Sequence, residues 1–493
     1  MTQAGPQKVL IVGASITGLT AALALNARGF CVTILEADAP PDGAVDFERS
    51  SQWRRRGVPH ALHPHFFLGK LRQIIRDWYP DLMADLRSAG IPEMGFTAYL
   101  HPLARRSFKP AAGDGDLAIL VARRSTMELA MRRHIVDHGV ATLLTSMPVR
   151  SLIIEGEAAP FAVRGVRAGP EDSIQEFRAD VVIDGSGRAS RLPQALRKTG
   201  VVCPEDTYDS PCAYYTRLYR LLPGKAQPEL GGMPANMFGD FAIASFPADH
   251  GYFTISLVVY KRDPILFNPA LQQSEVFEAV CNSTPRGKAW LDPTLAEPVG
   301  EVACWANMDF LWRSTLKDGA PQLLNFFFAG DSAIRSNPKY GRGCTWSALG
   351  TQLLAESLAE TDDPALRARI YEAKLERTFR SEWKTLLAID QKDTERFEVI
   401  AGLKPATMGS RFYSALQNHL GNGAMIVDSQ VARKLLHGYF GLEKPSQWMA
   451  SPMTWLRIVA ALFPSREQAK VIADNNRRPT RSELARIVNQ AAT

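Results

Sequence analysis

Four apolar residues, Val9, Leu10, Ile11 and Val12, run straight into Gly13-Ala14-Ser15-Ile16-Thr17-Gly18, after which Leu19 to Arg28 has helical character. A short apolar run of this kind is a strand buried on both faces, as in a parallel sheet. Gly29 ends the helix, Cys31 to Leu35 is a second strand, and Glu36 stands at its tip. This is a βαβ unit with a phosphate-binding turn. Gly13 permits the tight turn, Gly18 lets helix and strand pack closely, and the N-terminus of the helix faces an anionic pyrophosphate. An acid about twenty residues beyond the turn accepts the adenosine ribose hydroxyls and argues against a bound 2′-phosphate. Ser15 departs from the usual second glycine. It puts a β-carbon where backbone should approach phosphate, and offers a hydroxyl in exchange.

A second stretch has the same logic. Phe326, Phe327, Phe328 and Ala329 read as a buried strand, and Gly330-Asp331 falls at its carboxyl end, the edge where open α/β sheets bind ligands. A rigid loop follows, Asn337-Pro338-Lys339-Tyr340-Gly341-Arg342-Gly343, and then a helix from Cys344 to Leu358, with Trp346, Leu349, Leu353, Leu354 and Leu358 at helical spacing. Asp331 can accept a ribitol or ribose hydroxyl. Pro338 and the bare backbone at Gly341 and Gly343 can lie against a flat ring. Taken alone, such a loop is more often an ordinary turn.

The order of these motifs resembles the flavoprotein monooxygenases of the para-hydroxybenzoate hydroxylase fold, and among them the squalene-epoxidase-like and polyether-polyene epoxidases. The resemblance spans residues 8 to 360. It also includes Arg56-Gly57-Val58-Pro59-His60-Ala61-Leu62-His63-Pro64-His65, Arg124-Ser125-Thr126-Met127-Glu128, Asp184-Gly185-Ser186-Gly187-Arg188-Ala189-Ser190-Arg191, and Ala213 to Arg220 as the first substrate-side strand. The branch usually carries glutamine and arginine where this chain has His60 and Leu62.

The resemblance implies FAD as cofactor. Gly13, Ser15, Ile16, Thr17, Gly18, Glu36 and Arg124 would serve its adenosine and pyrophosphate half, and Arg56, Gly57 and Val58 belong to the stretch near the isoalloxazine. Asp184, Gly330, Asp331, Pro338, Gly341, Arg342, Gly343 and Cys344 complete the expected cofactor contacts. The implied activity is epoxidation or hydroxylation of a lipophilic polyketide, terpenoid or aromatic molecule through a flavin C4a-hydroperoxide, with O2 as co-substrate. That chemistry is centred on the flavin, so no catalytic side chain is named. Electrons would come from NAD(P)H or from a partner flavin reductase; no second intact glycine fingerprint decides between them. Three alternatives stand: a flavin-dependent reductase or dehydrogenase of the geranylgeranyl-reductase type, a flavin-dependent halogenase, whose usual Trp-x-Trp-x-Ile-Pro signature is absent, and a non-enzymatic FAD-holding protein that docks a carrier.

The expected fold is α/β: a discontinuous Rossmann-like FAD-binding domain, an antiparallel substrate sheet and a C-terminal helical region. The expected boundaries are 1–199 for the first part of the FAD domain, with some substrate-side elements in 60–115, then 200–320 for the substrate domain, 321–360 for the return segment and 361–493 for the helices. Phe96 to Phe108 reads as a strand. Tyr214 to Tyr219 and Tyr252 to Tyr260 alternate as sheet strands, and Leu366 to Asp390 reads as a long charge-laced helix followed by a separate one from Lys392 to Gly402.

With 493 residues, 46% hydrophobic and 22% charged, the chain can bury several cores. The net charge of +6 is spread as pairs and triplets such as Arg54-Arg55-Arg56, which speaks against nucleic acid. Six cysteines without a CxxC suggest reduced thiols in a cytoplasmic protein. A metal at His60, His63 and His65 is disfavoured, because no Cys or carboxylate cluster accompanies them and Pro64 breaks their spacing. No apolar run reaches membrane-spanning length. The C-terminal helices read first as a cap over the pocket. Trp448, Met449, Met453, Trp455 and Leu456 beside Arg457 raise a second reading, contact with a membrane surface or carrier protein.

Overall fold

The computed structural model describes residues 5–40, 50, 53, 55, 57–58, 60–419, 423–443 and 451–490. Arg56, Trp448 and Met449 lie outside the described residues. The architecture is α/β with a Rossmann-like unit, an antiparallel sheet and C-terminal helices.

Strand β1 (Lys8–Val12) leads into helix α1 (Ile16–Asn26) and strand β2 (Cys31–Leu35). Helix α2 (Arg124–Asp137) is followed by β3 (Thr142–Leu144) and β4 (Val181–Asp184). The chain next builds β5 (Cys212–Leu221), β6 (Ala235–Met237), β7 (Ala242–Pro247), β8 (Tyr252–Tyr260) and β9 (Ala296–Trp305). It then returns through β10 (Phe326–Phe328) to α3 (Gly343–Glu360) and α4 (Pro364–Ile400).

The first sheet is parallel, in the order β10-β4-β1-β2-β3. Its register pairs Val12 with both Leu35 and Asp184, and Asp184 with Phe328, so the loops after β1, β2, β4 and β10 leave one edge side by side. Helix α1 shows almost no polar face, since the sheet, α2 and α3 cover it, and ten of its eleven residues are buried. A β-carbon on Gly18 would lie 1.9 Å from the Gly13 carbonyl oxygen, which accounts for glycine there. Phe326 and Phe327 are almost completely buried, each worth about 2 kcal/mol of burial.

The second sheet, β6-β7-β8-β5-β9, is antiparallel and supplies a separate core of Tyr215, Tyr219, Phe253, Leu257 and Trp290. Inner faces of the C-terminal segments join it through Met425, Leu436, Phe440, Leu484 and Val488. Among the described residues, no helix is long and apolar enough to cross a membrane.

Two local expectations differ from the structure. Phe96 to Phe108 is a 3-10 turn (Phe96–Tyr99) and a short helix (Pro102–Arg105), not a strand. Its aromatics pack inward instead, Tyr99 meeting Phe440 edge-on at 5.3 Å, and Pro102 starts a helix whose Leu103 N–H donates to His101 Nδ1. The two helices expected after Leu366 are one. Asp363 caps α4, Pro364 occupies its first turn, and Tyr371, Leu375, Phe379, Trp383 and Leu386 form a single buried stripe along it.

Candidate cofactor and substrate site

A cavity of about 1180 Å³ opens at the shared carboxyl edge of the parallel sheet and continues to the face of the antiparallel sheet. At its first end lies the turn after β1. Gly13 has φ +96°, and a β-carbon there would sit 3.0 Å from the Ser186 Cα, so the turn needs a residue without one. The Ser15 hydroxyl donates to Glu128 Oε1 at 2.6 Å and accepts from Arg124 Nη2 at 2.7 Å, while Arg124 Nε donates to the same Glu128 oxygen at 2.8 Å. Glu128 also pairs with Arg55. The serine that replaces glycine is thus one corner of a buried charged square.

Glu36 sits beside it, 4% exposed. Its Oε2 accepts from the Ala14 N–H at 2.7 Å and from Arg55 and Arg132 at 2.9 Å each, and Oε1 accepts from the Asp38 N–H at 2.9 Å. Burial pushes this carboxyl up, but Arg55, Arg132 and the two backbone N–H groups outweigh it, and the group lies below the usual carboxylate range. Burial also lowers Arg55 to about 10. Both guanidinium groups lie over the Trp53 ring, at 4.8 and 4.7 Å from its centroid. Asp38 Oδ2 and Arg55 Nε face each other as an ion pair at 3.8 Å, and neither makes a hydrogen bond among the described residues.

Midway, two histidines meet Trp305, and a third, His65, tilts against His60 at 5.5 Å. His60 stacks on the indole at 5.2 Å, His63 tilts against it at 5.7 Å, and Arg188 lies over it at 5.4 Å. His63 Nδ1 shares a 2.8 Å hydrogen bond with Thr216 Oγ1, and His65 Nδ1 donates to the His63 carbonyl at 2.8 Å. Burial lowers His63 to about 4; burial together with the charge of Arg124 lowers His65 to about 3 and His60 well below the usual imidazole range. All three rings are neutral near pH 7. His60 Nδ1 has no hydrogen-bond partner among the described residues.

Across from them runs the loop after β10. Asp331 Oδ2 lies 3.3 Å from Arg188 Nε, and Gly341 adopts φ +67°. Lys339, its side chain 10% exposed, reaches Asp390 at 2.9 Å and Asp393 at 2.8 Å on α4. Asn337 ties the same loop to the antiparallel sheet, accepting from Tyr214 OH at 2.9 Å and donating to Asp390 at 3.0 Å. Beyond it the walls turn apolar, with Phe66, Phe246, Val258, Met237, Met425 and Leu435.

Of the expected cofactor residues, Gly13, Ser15, Ile16, Thr17, Glu36, Gly57, Val58, Arg124, Asp331, Pro338, Gly341, Gly343 and Cys344 line this one cavity. Four expected residues stand behind its wall. Gly18 packs α1 on the turn, and Gly330, at φ +60°, packs against Thr17. Asp184 is fully buried, and its carboxylate accepts from the Ser186 N–H and from the hydroxyls of Ser186 and Ser190, holding its own loop. Arg342 donates to Glu382 and to the carbonyls of Gly438 and Tyr439, bracing the cap. Arg55, Arg132, Arg188, Trp305 and Lys339 were not singled out from the sequence. Their weight comes from contacts between distant positions, from Arg55 with Glu36 to Trp305 with His60.

The fold is that of FAD-dependent oxygenases and halogenases. A family model described as an NAD(P)-binding Rossmann-like domain matches residues 11–79. The myxobacterial chondrochloren halogenase CndH, an FAD-dependent halogenase, superposes with a TM-score of 0.59 at 17% identity, over 94% of this chain and 99% of that one. OxyS anhydrotetracycline hydroxylase from Streptomyces rimosus superposes with a TM-score of 0.56 at 16% identity, over 89% and 76% of the two chains. Protein Rv3254 of Mycobacterium tuberculosis (strain ATCC 25618 / H37Rv) is 25% identical over 364 residues, 71% of this chain and 72% of its own length.

Proposed function

We propose that this chain is an FAD-dependent monooxygenase that epoxidises or hydroxylates a lipophilic polyketide, terpenoid or aromatic molecule, on the epoxidase-like branch of its fold. One observation carries the reading: a single cavity joins a dinucleotide turn to an apolar sheet face, with a glycine-rich loop between them. The residues fit the cofactor. The turn admits no β-carbon at Gly13, and His60 Nδ1 is a buried polar atom with no hydrogen-bond partner among the described residues.

In this reading the N-terminus of α1 and Arg124 hold the pyrophosphate, and the open lone pair on Glu36 Oε1 accepts an adenosine hydroxyl. Asp331 would hold a ribitol hydroxyl, and Gly341 and Gly343, whose backbone carries no side chain, would hold the ring system. The flavin supplies reduction of O2 and transfer of one oxygen atom to substrate. The chain's own part is to orient and to exclude water. Phe66, Phe246, Val258 and Met237 present apolar walls to the substrate, and His60, His63 and His65 add neutral imidazoles, with Arg124 Nη1 3.1 Å from His60 Nε2 and 3.3 Å from His65 Nε2. A nicotinamide or a separate flavin reductase supplies the electrons, and the substrate domain is residues 200–320.

The substrate would arrive from an anionic membrane surface. Helix Pro452–Ala460 exposes Met453, Leu456 and Val459, next to Phe463, and helix Met408–His419 exposes Met408 and Phe412. His419 Nε2 joins the two by donating to the Ile458 carbonyl, and Gln417 of the same helix lines the cavity. Arg411, Arg466 and Lys470 are exposed around this patch with no carboxylate partner among the described residues, the charge that anionic headgroups complement.

The test is anaerobic mixing of flavin-loaded protein with NADH or NADPH, then oxygen after chemical reduction. A transient spectrum distinct from both reduced and oxidised flavin supports the oxygenase. Single-phase reoxidation without one favours the reductase reading.

A further inference from the structure

Away from the cavity, Asp85 on helix Pro80–Ser88 and two histidines at the end of α2 converge on one point. His134 Nδ1 lies 2.7 Å and His138 Nε2 3.3 Å from the same oxygen, Asp85 Oδ2. The donor atoms all fall within 4.8 Å of one another. Histidines four positions apart share a helix face, and here their rings stack at 4.3 Å. His134 is held by burial, 6% exposed at the side chain, whereas His138 and Asp85 are 46% and 43% exposed and open the point to solvent. One fixed imidazole, one adjustable imidazole and one adjustable carboxylate make a chelate that needs only small rotations, with water completing the shell.

We infer that Asp85, His134 and His138 bind a divalent transition ion of the zinc class. Two nitrogens and one carboxylate oxygen suit zinc, cobalt or nickel and disfavour magnesium or calcium, which demand more oxygen ligands. The ion would clamp helix Pro80–Ser88 to the last turn of α2. The first turns of that helix carry Arg124 and Glu128, so an ion here stiffens the element that holds the charged square at the cavity.

Isothermal titration of the full-length protein with ZnCl2, repeated with CoCl2 and its visible absorption, tests the assignment. One site per chain is expected, with binding about tenfold weaker or worse in His138→Ala and in Asp85→Asn. Both positions are half-exposed, so the variants keep the wild-type unfolding midpoint without metal. MgCl2 should give no heat. Equal zinc binding by wild type and both variants would place the ion elsewhere, for example at exposed Cys31 or Cys304, and no zinc binding would reduce the cluster to an ordinary ion pair; either result overturns the inference.

Discussion

The Ser15 hydroxyl lies 2.6 Å from Glu128 Oε1, across 113 positions of sequence, and so fixes the side chain that interrupts the glycine turn. The serine gains a carboxylate acceptor on one side and the Arg124 guanidinium on the other. The β-carbon at this position is therefore held in one orientation, with the hydroxyl directed to α2.

Removing that carboxylate leaves Arg55 and Arg124 buried without it. Glu128→Ala is expected to cost about 3–5 kcal/mol of stability, read from urea unfolding, with Glu128→Gln losing less. A change below about 1 kcal/mol would mean that water or Glu36 replaces the pair.

Asp331→Ala should purify depleted in FAD while keeping its thermal unfolding midpoint within a few degrees, because Asp331 lies on the cavity wall and, among the described residues, its one ion pair is the 3.3 Å contact to Arg188. The ratio of flavin to protein absorbance decides it. Full occupancy would remove the cofactor from this end of the cavity.

Gly330 has φ +60°, and an added β-carbon would lie 2.1 Å from Thr17 Oγ1. Gly330→Ala is expected to destabilise by about 1–3 kcal/mol from backbone strain alone, plus the clash. Pairing it with Thr17→Ala should recover only the Thr17 part of the clash, since Ser347 Oγ still lies 2.8 Å from the added β-carbon, and unfolding of the double variant would reveal it.

Stability should fall as pH drops from about 6.5. His63 and His65 ionise in the unfolded chain near the ordinary 6.5 but, lowered by burial to about 4 and about 3, stay neutral in the fold. The unfolded state thus binds more protons across that window, and lowering the pH favours it. For His63 alone the loss reaches on the order of 3 kcal/mol by pH 4. His63→Gln should flatten the slope between pH 6 and 4; an unchanged slope would assign it to other groups.

Flotation with vesicles rich in anionic lipid should carry the wild type upward, and Leu456→Asp with Phe463→Glu should leave it in solution, as should deletion of 445–465. Salt should weaken the wild-type binding. Failure of the wild type to float at all would end the membrane reading.

Local rules made much of the cavity legible. The Gly13 turn, the acid at Glu36 and the glycine-spaced loop after Asp331 are each written in a few consecutive residues, because strand, turn and helix start are short-range properties. The same rules misjudged Phe96 to Phe108, where aromatic β-propensity lost to packing against Phe440. The family resemblance, not a local rule, put Asp184 among the expected cofactor contacts, and its carboxylate accepts from Ser186 and Ser190 of its own loop.

What the sequence by itself determined is the order of elements, the phosphate-binding turn and the chemistry available at each strand tip. Only the tertiary structure decided which charges meet: Glu36 with Arg55 and Arg132, Glu128 with Ser15 and Arg124, Lys339 with two aspartates of a helix fifty positions away. Lining up four strands at one edge brings distant loops within hydrogen-bond reach, and burial then makes each unpaired charge costly. Spacing along the chain encodes neither of those effects, so the partners of these side chains appear only once the sheets are assembled.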